Sequence, residues 1–309
     1  MSEILCYFKS GIGNLIVATP ALQALASMDP TGKVDMLLAS NWRDSRLPAI
    51  RDILSAALFI DRVHEFPGCS LNGHKRFFIP VQCEASDAGH YMQSRTGYAR
   101  AHWPGSDWPS TGEHEIDANM RYARKIGYSG PTPKLWVPVG DSPDLSLLSR
   151  PIIALCNGAF GHQMWEKKRW PYFPRLAMAL KGWFGGSVVG VGGEKELSGT
   201  HLDADYGGKL PFSGTTKALS QADLLISTDT GCMHAADAIG IPTIGIFGAT
   251  LLTKNRPIGG RSVAILPRAK CAPCQYTGRF HTCMHYVCME RTTPGDVMRI
   301  ARKIIERGN

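Results

Sequence analysis

Short runs of unbroken apolar residues alternate along this chain with segments whose apolar positions recur at helical spacing. Ile4 to Phe8, Val34 to Ala39, Ile152 to Cys156, Ser187 to Val191, Leu224 to Ile226 and Thr243 to Phe247 are too short for helices. Most are apolar throughout, the pattern of strands covered on both faces in a parallel sheet. Apolar runs also recur at Leu58 to Ile60 and Phe77 to Val81. Helical spacing marks LIVATPALQALASM, Ile116 to Ile126, Phe173 to Leu180, Thr215 to Gln221 and Cys232 to Ile239. Pro294 opens a last amphipathic helix, with Val297, Ile300, Ala301 and Ile304 on one face and Arg299, Arg302 and Lys303 toward solvent. Pro20 falls inside the first helical pattern, where it either kinks the helix or starts a second one capped by Thr19. Strands and helices alternate in both halves, which predicts an α/β protein of two doubly wound, Rossmann-like domains. The stretch 130–149, with Pro131, Pro133, Pro138 and Pro143, sets the boundary, giving domains at 1–149 and 150–309. Residues 83–108 lose periodicity and read as a long functional loop.

The densest chemistry lies between Ala222 and Thr250. Asp229, Thr230 and Gly231 form a turn from strand to helix; Gly240 ends that helix and Pro242 prevents its continuation. A helix starting at Gly231 offers unpaired amides and a positive dipole end, and a glycine there lets a phosphate approach closely. Asp229 can accept from sugar hydroxyls, and His234 in the first turn can donate to a phosphate oxygen. The same residues also suit an ordinary turn with an N-capping side chain. The glycine-rich turn Ser10-Gly11-Ile12-Gly13-Asn14 is an incomplete dinucleotide fingerprint, because Ile16 stands where its third glycine belongs.

Length and composition are those of a globular protein of 309 residues. No apolar run reaches membrane-helix length, and MSEILCYFKS enters a strand at once rather than forming a leader. Nine cysteines without a secretory leader predict a reducing, cytoplasmic setting. A net charge of +8 favours anionic partners such as nucleotide-sugars or an anionic membrane face. The basic residues are dispersed and no nucleic-acid-binding motif accompanies them, so nucleic acid is not an expected partner. Cys271, Cys274, Cys283 and Cys288 are spaced C-x2-C-x8-C-x4-C. They can close a structural tetrahedral Zn or Fe site, or remain free thiols in a compact loop. His281 and His285 are alternative ligands that suit the surface better.

Several of these motifs together resemble glycosyltransferase family 9, which contains the ADP-heptose:lipopolysaccharide heptosyltransferases. The N-terminal resemblance lies in GIGNLIVATPALQAL. The C-terminal one lies in KRWP, GGEKE and STDTGCMHAADAIGIPTIGIFGAT, with a cysteine-rich tail before the last helix. The resemblance implies a GT-B fold with a cleft between its domains, the donor on the C-terminal side and the acceptor on the N-terminal side. It implies inverting, metal-independent transfer of a heptose or related sugar from a nucleotide-sugar, ADP-linked by preference. The acceptor would be a glycan or lipid-linked hydroxyl, placing the protein in the cytoplasm or against the inner membrane. By the same resemblance Thr230, Gly231, Cys232 and Met233 present amides to the donor diphosphate with His234 nearby. Asp229 holds sugar hydroxyls, Lys168 neutralises the departing phosphate, and Glu194 or Glu196 contacts the nucleoside.

One position departs from the family pattern. Asn14 stands where better-known members carry an Asp base, and an amide cannot take a proton. Glu84, Asp87 and His90 are then candidate bases, unless the reaction needs little base assistance or the protein only binds nucleotide-sugars. An aspartic protease is disfavoured because Asp229-Thr230-Gly231 has no second copy.

Overall fold

The computed structural model of the protein describes residues 2–8, 10–38, 47–65, 73–78, 112–159 and 163–307. The chain divides into two compact units, Met1–Pro138 and Val139–Asn309.

In the first unit the order is β1 (Ile4–Phe8), α1 (Ile12–Met28), β2 (Val34–Leu38), α2 (Leu47–Ala56), β3 (Ile60–Glu65), β4 (Arg76–Phe78) and α3 (Glu115–Lys125). The four strands are parallel and ordered β3-β2-β1-β4. Every residue of β1 and β2 is buried, as their mostly apolar sequences require. Helix α1 runs through Pro20 as one helix. Proline removes a backbone donor at that turn, and the Thr19 hydroxyl donates to the Ile16 carbonyl at 2.7 Å. Thr19 Oγ1 also accepts from the Trp136 amide at 3.0 Å, which ties the end of this unit back to α1. Ile16, at the missing glycine position, is fully buried in α1.

The second unit contains β5 (Ile152–Cys156), a 3-10 turn (Gln163–Lys168), α4 (Phe173–Phe184), β6 (Ser187–Gly190), β7 (Ala204–Asp205) and α5 (Phe212–Ser220). It continues with β8 (Leu224–Thr228), α6 (Gly231–Ile239), β9 (Thr243–Ile246), α7 (Leu252–Asn255) and β10 (Val263–Ile265). Helices α8 (Gly278–Thr282), α9 (Val287–Glu290) and α10 (Pro294–Glu306) close the chain. Its six parallel strands are ordered β10-β9-β8-β5-β6-β7. The core packs Ile153, Leu155, Leu224, Ile226 and Ile244 of the sheet against Trp170, Leu176 and Val297. From β5 the chain goes outward to β6 and β7, then returns to the other side at β8. The β5/β8 boundary is therefore the switch point, where ligands of such sheets bind beyond the strand C-termini.

Three details differ from the sequence pattern. Residues 139–149 belong to the second unit, because Gln221 holds them: its side chain accepts from the Leu145 amide at 2.9 Å and donates to the Pro143 carbonyl at 2.8 Å. On α10 the buried stripe is Val297, Met298, Ala301 and Ile305, with Ile300 and Ile304 only partly covered. Arg302, expected in solvent, stacks 3.3 Å over the Trp183 ring.

Candidate functional site

Strand β8 ends at Thr228, and Asp229 follows at the C-terminal edge of the switch point. Thr230 is the N-cap of α6 in extended conformation, and its Oγ1 accepts from the Met233 amide at 3.4 Å. That cap engages one first-turn donor. The amides of Gly231 and Cys232 remain the helix-end donors that no intrahelical carbonyl can reach. Gly240, at φ 87°, ends the helix in the left-handed conformation. Cys232 and Met233 bury their side chains, so only their backbones face the turn. A hydrogen bond to Cys156 and then burial push the Cys232 thiol up, which keeps it protonated.

Asp229 is the hub of the site, only 3 % exposed. Lys168 Nζ lies 3.4 Å from its Oδ2 and His234 Nε2 lies 3.9 Å from its Oδ1. Asn255 Nδ2 donates to both carboxylate oxygens, at 3.4 and 3.2 Å. Burial alone would raise this carboxyl. Lys168, His234, Lys254 and the Thr250 hydroxyl outweigh it and hold the group down at about 2. Asp229 is therefore an ionised carboxylate beside two lysines and an imidazole, a neighbourhood that can accept further negative charge.

Local packing fixes Lys168. Asn157, just past β5, accepts from the Trp170 amide at 2.8 Å and donates to the Trp170 carbonyl at 3.1 Å. Trp170 is fully buried and its indole donates to the Thr292 carbonyl at 2.9 Å. Arg169 Nη1 donates to the Asn157 carbonyl at 2.8 Å. The KRWP segment is thus clamped to the end of β5, with Lys168 Nζ 5.4 Å from the Trp165 ring centre.

The two glutamates separate cleanly. Glu196 turns inward: Cys156 Sγ lies 3.9 Å from its Oε2 and 3.7 Å from Thr230 Oγ1. Burial raises its carboxyl, against opposing hydrogen bonds from the Gly193 and Ala159 amides and the charge of Arg169. Gly192 permits this turn. Its φ is 110°, and a Cβ there would sit 2.5 Å from Glu196 Oε2. Glu194 stays exposed beside Lys195 at 3.5 Å. Both glutamates, with Lys195, Leu197, Asp205 and Lys209, line a cavity of about 440 Å³.

Asn14 lies in the other unit, in the first turn of α1 past the end of β1, where its amide donates to Ser10 Oγ at 2.6 Å. Glu84, Asp87 and His90 lie outside the described residues. Lys254 and Asn255 are site residues that sequence reasoning missed. Their signal was faint, a lysine and an asparagine a few residues beyond Phe247-Gly248-Ala249-Thr250, yet both are buried.

All four tail cysteines are free; Cys274 and Cys288 are buried, while Cys271 and Cys283 are partly exposed. Burial and then the neighbouring thiols raise Cys274, and burial and then Cys274 lift Cys288 to about 11. The four sulfurs share a neighbourhood without closing into a ligand set. Among the described residues, Asp35, His64 and His74 form the group of three or more such ligands whose atoms all lie within 4.8 Å of one another. His281 and His285 are exposed.

Residues 133–285 match the model of glycosyltransferase family 9 (heptosyltransferase). Lipopolysaccharide heptosyltransferase 1 of Pseudomonas aeruginosa is 31% identical over 118 residues, 36% of this chain and 33% of that protein. The match thus spans about a third of that relative's length. The fold matches ADP-heptose lipopolysaccharide heptosyltransferase II of E. coli with a TM-score of 0.73 at 16% identity, covering 99% of both chains. It also matches the iron-containing dodecameric glycosyltransferase TibC of enterotoxigenic E. coli, with a TM-score of 0.65 at 14% identity over 99% of this chain and 76% of that one. The architecture is therefore that of the GT-B glycosyltransferases.

Proposed function

We propose that this protein, whose residues 133–285 match the glycosyltransferase family 9 (heptosyltransferase) model, transfers a heptose or related sugar from an ADP-sugar to a hydroxyl of a glycan or lipid-linked acceptor, with inversion. The carrying observation is the meeting of Lys168, His234 and the α6 N-terminus around Asp229 at the β5/β8 switch point. In the reaction the acceptor oxygen bonds to the anomeric carbon while the bond from that carbon to the diphosphate oxygen breaks. The electron pair leaves with the nucleotide, so negative charge grows on the diphosphate. The amides of Gly231 and Cys232, the Lys168 ammonium and His234 stabilise it, a role a divalent metal plays elsewhere. Asp229 aims Lys168 and His234, and an edge of its carboxylate takes a sugar hydroxyl. Glu196, backed by Gly192, and the adjoining cavity take the nucleoside, with Glu194 at the rim.

The acceptor belongs to the first unit. Asn14, held by Ser10, orients the acceptor without taking its proton. The base then comes from elsewhere or is weakly demanded. A second reading, a binder that has lost transfer, rests on the same amide. The protein works in the cytoplasm or against its membrane face; no helix among the described residues is long and apolar enough to cross a membrane.

The cysteine tail fits a structural metal in part. Four thiols close enough to raise one another's protonation are a set that a dication such as Zn or Fe would draw together, and the structurally similar TibC is described as iron-containing. Cys271, Cys274, Cys283 and Cys288 would hold it, tying the tail loop down without entering the reaction.

The test is nucleotide release and glycan product formation from ADP-sugars. Lys168→Ala is expected to lower kcat by about 100-fold or more, and Asn14→Ala by less than about tenfold. An Asn14→Ala loss of several orders of magnitude would contradict the orienting role. No turnover of any nucleotide-sugar by the wild-type protein, with binding intact, would favour the second reading.

A further inference from the structure

The first unit holds a group of side chains that the proposed transfer does not use. Asp35 stands inside the otherwise apolar strand β2 and is fully buried. His64, on the adjacent strand β3, places Nε2 3.3 Å from Asp35 Oδ2. His74, on the approach to β4, places Nε2 2.8 Å from the same oxygen. The other carboxylate oxygen, Oδ1, is buried with no hydrogen-bond partner among the described residues. The three ligand atoms all lie within 4.8 Å of one another. The His74 side chain is 2 % exposed and that of His64 is 20 % exposed.

A buried carboxylate with an unsatisfied oxygen is costly unless a cation or a full set of donors meets it. Two imidazole nitrogens and a carboxylate are the donors that borderline divalent transition ions prefer. They are too nitrogen-rich for Mg²⁺ or Ca²⁺ and lack the thiolates that favour Cu(I) or iron–sulfur clusters. Tetrahedral zinc, with bonds of about 2.0–2.2 Å, sets its ligand atoms about 3.3–3.6 Å apart. Small movements of the two imidazoles would reach that geometry. The two oxygens of one carboxylate are too close together to fill two tetrahedral vertices, so Asp35 supplies one position, with Oδ1 drawn toward the ion as a longer contact, and a water completes the four. Flanking ion pairs hold the two histidine-bearing segments: Glu65 with Arg51 beside His64, and Lys75 with Glu3 beside His74.

We propose that Asp35, His64 and His74 bind one divalent transition-metal ion of the zinc class, a structural clip that ties β3 and the approach to β4 onto β2. Its burial within the sheet of the first unit argues for a stabilising rather than a catalytic ion.

The test uses the full chain, stripped with chelator and titrated with Co²⁺, followed by Zn²⁺ displacement and thermal melting. Thiolate-bound Co²⁺ has intense near-ultraviolet charge-transfer absorption, whereas an imidazole–carboxylate site adds only visible ligand-field bands. This separates the clip from the cysteine tail. The proposal expects a thiolate-free binding event in a Cys271→Ser/Cys274→Ser variant, displaced by Zn²⁺ and accompanied by a raised Tm. His64→Asn should remove that event with about one equivalent of metal per chain, and Asp35→Asn should do the same. If the cysteine variant does not fold, the same loss of ligand-field absorption and of one equivalent is read between wild type and His64→Asn. Retained absorption and unchanged metal content in His64→Asn would overturn the proposal, leaving a hydrogen-bonded His–Asp–His cluster. So would a folded cysteine variant that binds neither ion.

Discussion

Asp229 stays ionised where water scarcely reaches, because two lysines, an imidazole and a hydroxyl surround it. Its folded carboxyl, at about 2, lies below its ordinary 3.8. A depressed carboxyl stabilises the fold above the unfolded value and loses that contribution as pH falls toward the folded one. The contribution is worth about 2 kcal/mol. Thermal melts of wild type and Asp229→Asn should therefore differ most above pH 3.8 and converge as pH approaches 2. A difference independent of pH across that window would show that Asp229 carries no such charge. The sequence singles out Asp229 by its place in a strand-to-helix turn and Lys168 by the KRWP resemblance, and the fold brings their charged ends to 3.4 Å. Lys254 was not legible there, since a lysine reads as a surface residue until the fold buries it beside Asp229. Nor could spacing separate Glu194 from Glu196. In the fold Gly192 leaves room for the inward Glu196 carboxylate, which a Cβ there would meet, while Glu194 stays exposed.

Strand β8, helix α6 and strand β9 were legible almost to the residue, because the period changes sharply between Thr228 and Gly231 and glycine and proline mark the end. Strand β3 was not. After Ile60 its residues are mostly polar and exposed, as befits an edge strand, and period-based reading ends the apolar run there. The trio of Asp35, His64 and His74 was hidden for a related reason: its members come from three segments that only the sheet order brings together. At the tail, C-x2-C spacing gave a metal hypothesis that packing leaves partly formed. Elemental analysis of the purified protein should find Zn or Fe that Cys271→Ser/Cys274→Ser removes, with about one equivalent lost per chain. Equal metal content in the two proteins would mean that the tail holds free thiols.

The two-domain α/β plan could be read from strand–helix alternation, but the place of division could not. Residues 139–149 are rich in the prolines and serines of a linker, yet Gln221 holds them to the second unit through contacts that composition cannot encode. The switch point was equally invisible, since strand order is a property of the sheet and not of any one segment. Once β5 and β8 are neighbours, the Asp229-Thr230-Gly231 turn and the KRWP clamp fall at the same edge. The most direct measurement is calorimetric titration of the wild-type chain and its Lys168→Ala variant with ADP. Binding should be measurable in the wild type and about 10–100-fold weaker in the variant, the loss of one charge-assisted contact to the diphosphate. Equal affinities, or no ADP binding by the wild type, would contradict a diphosphate site at this edge.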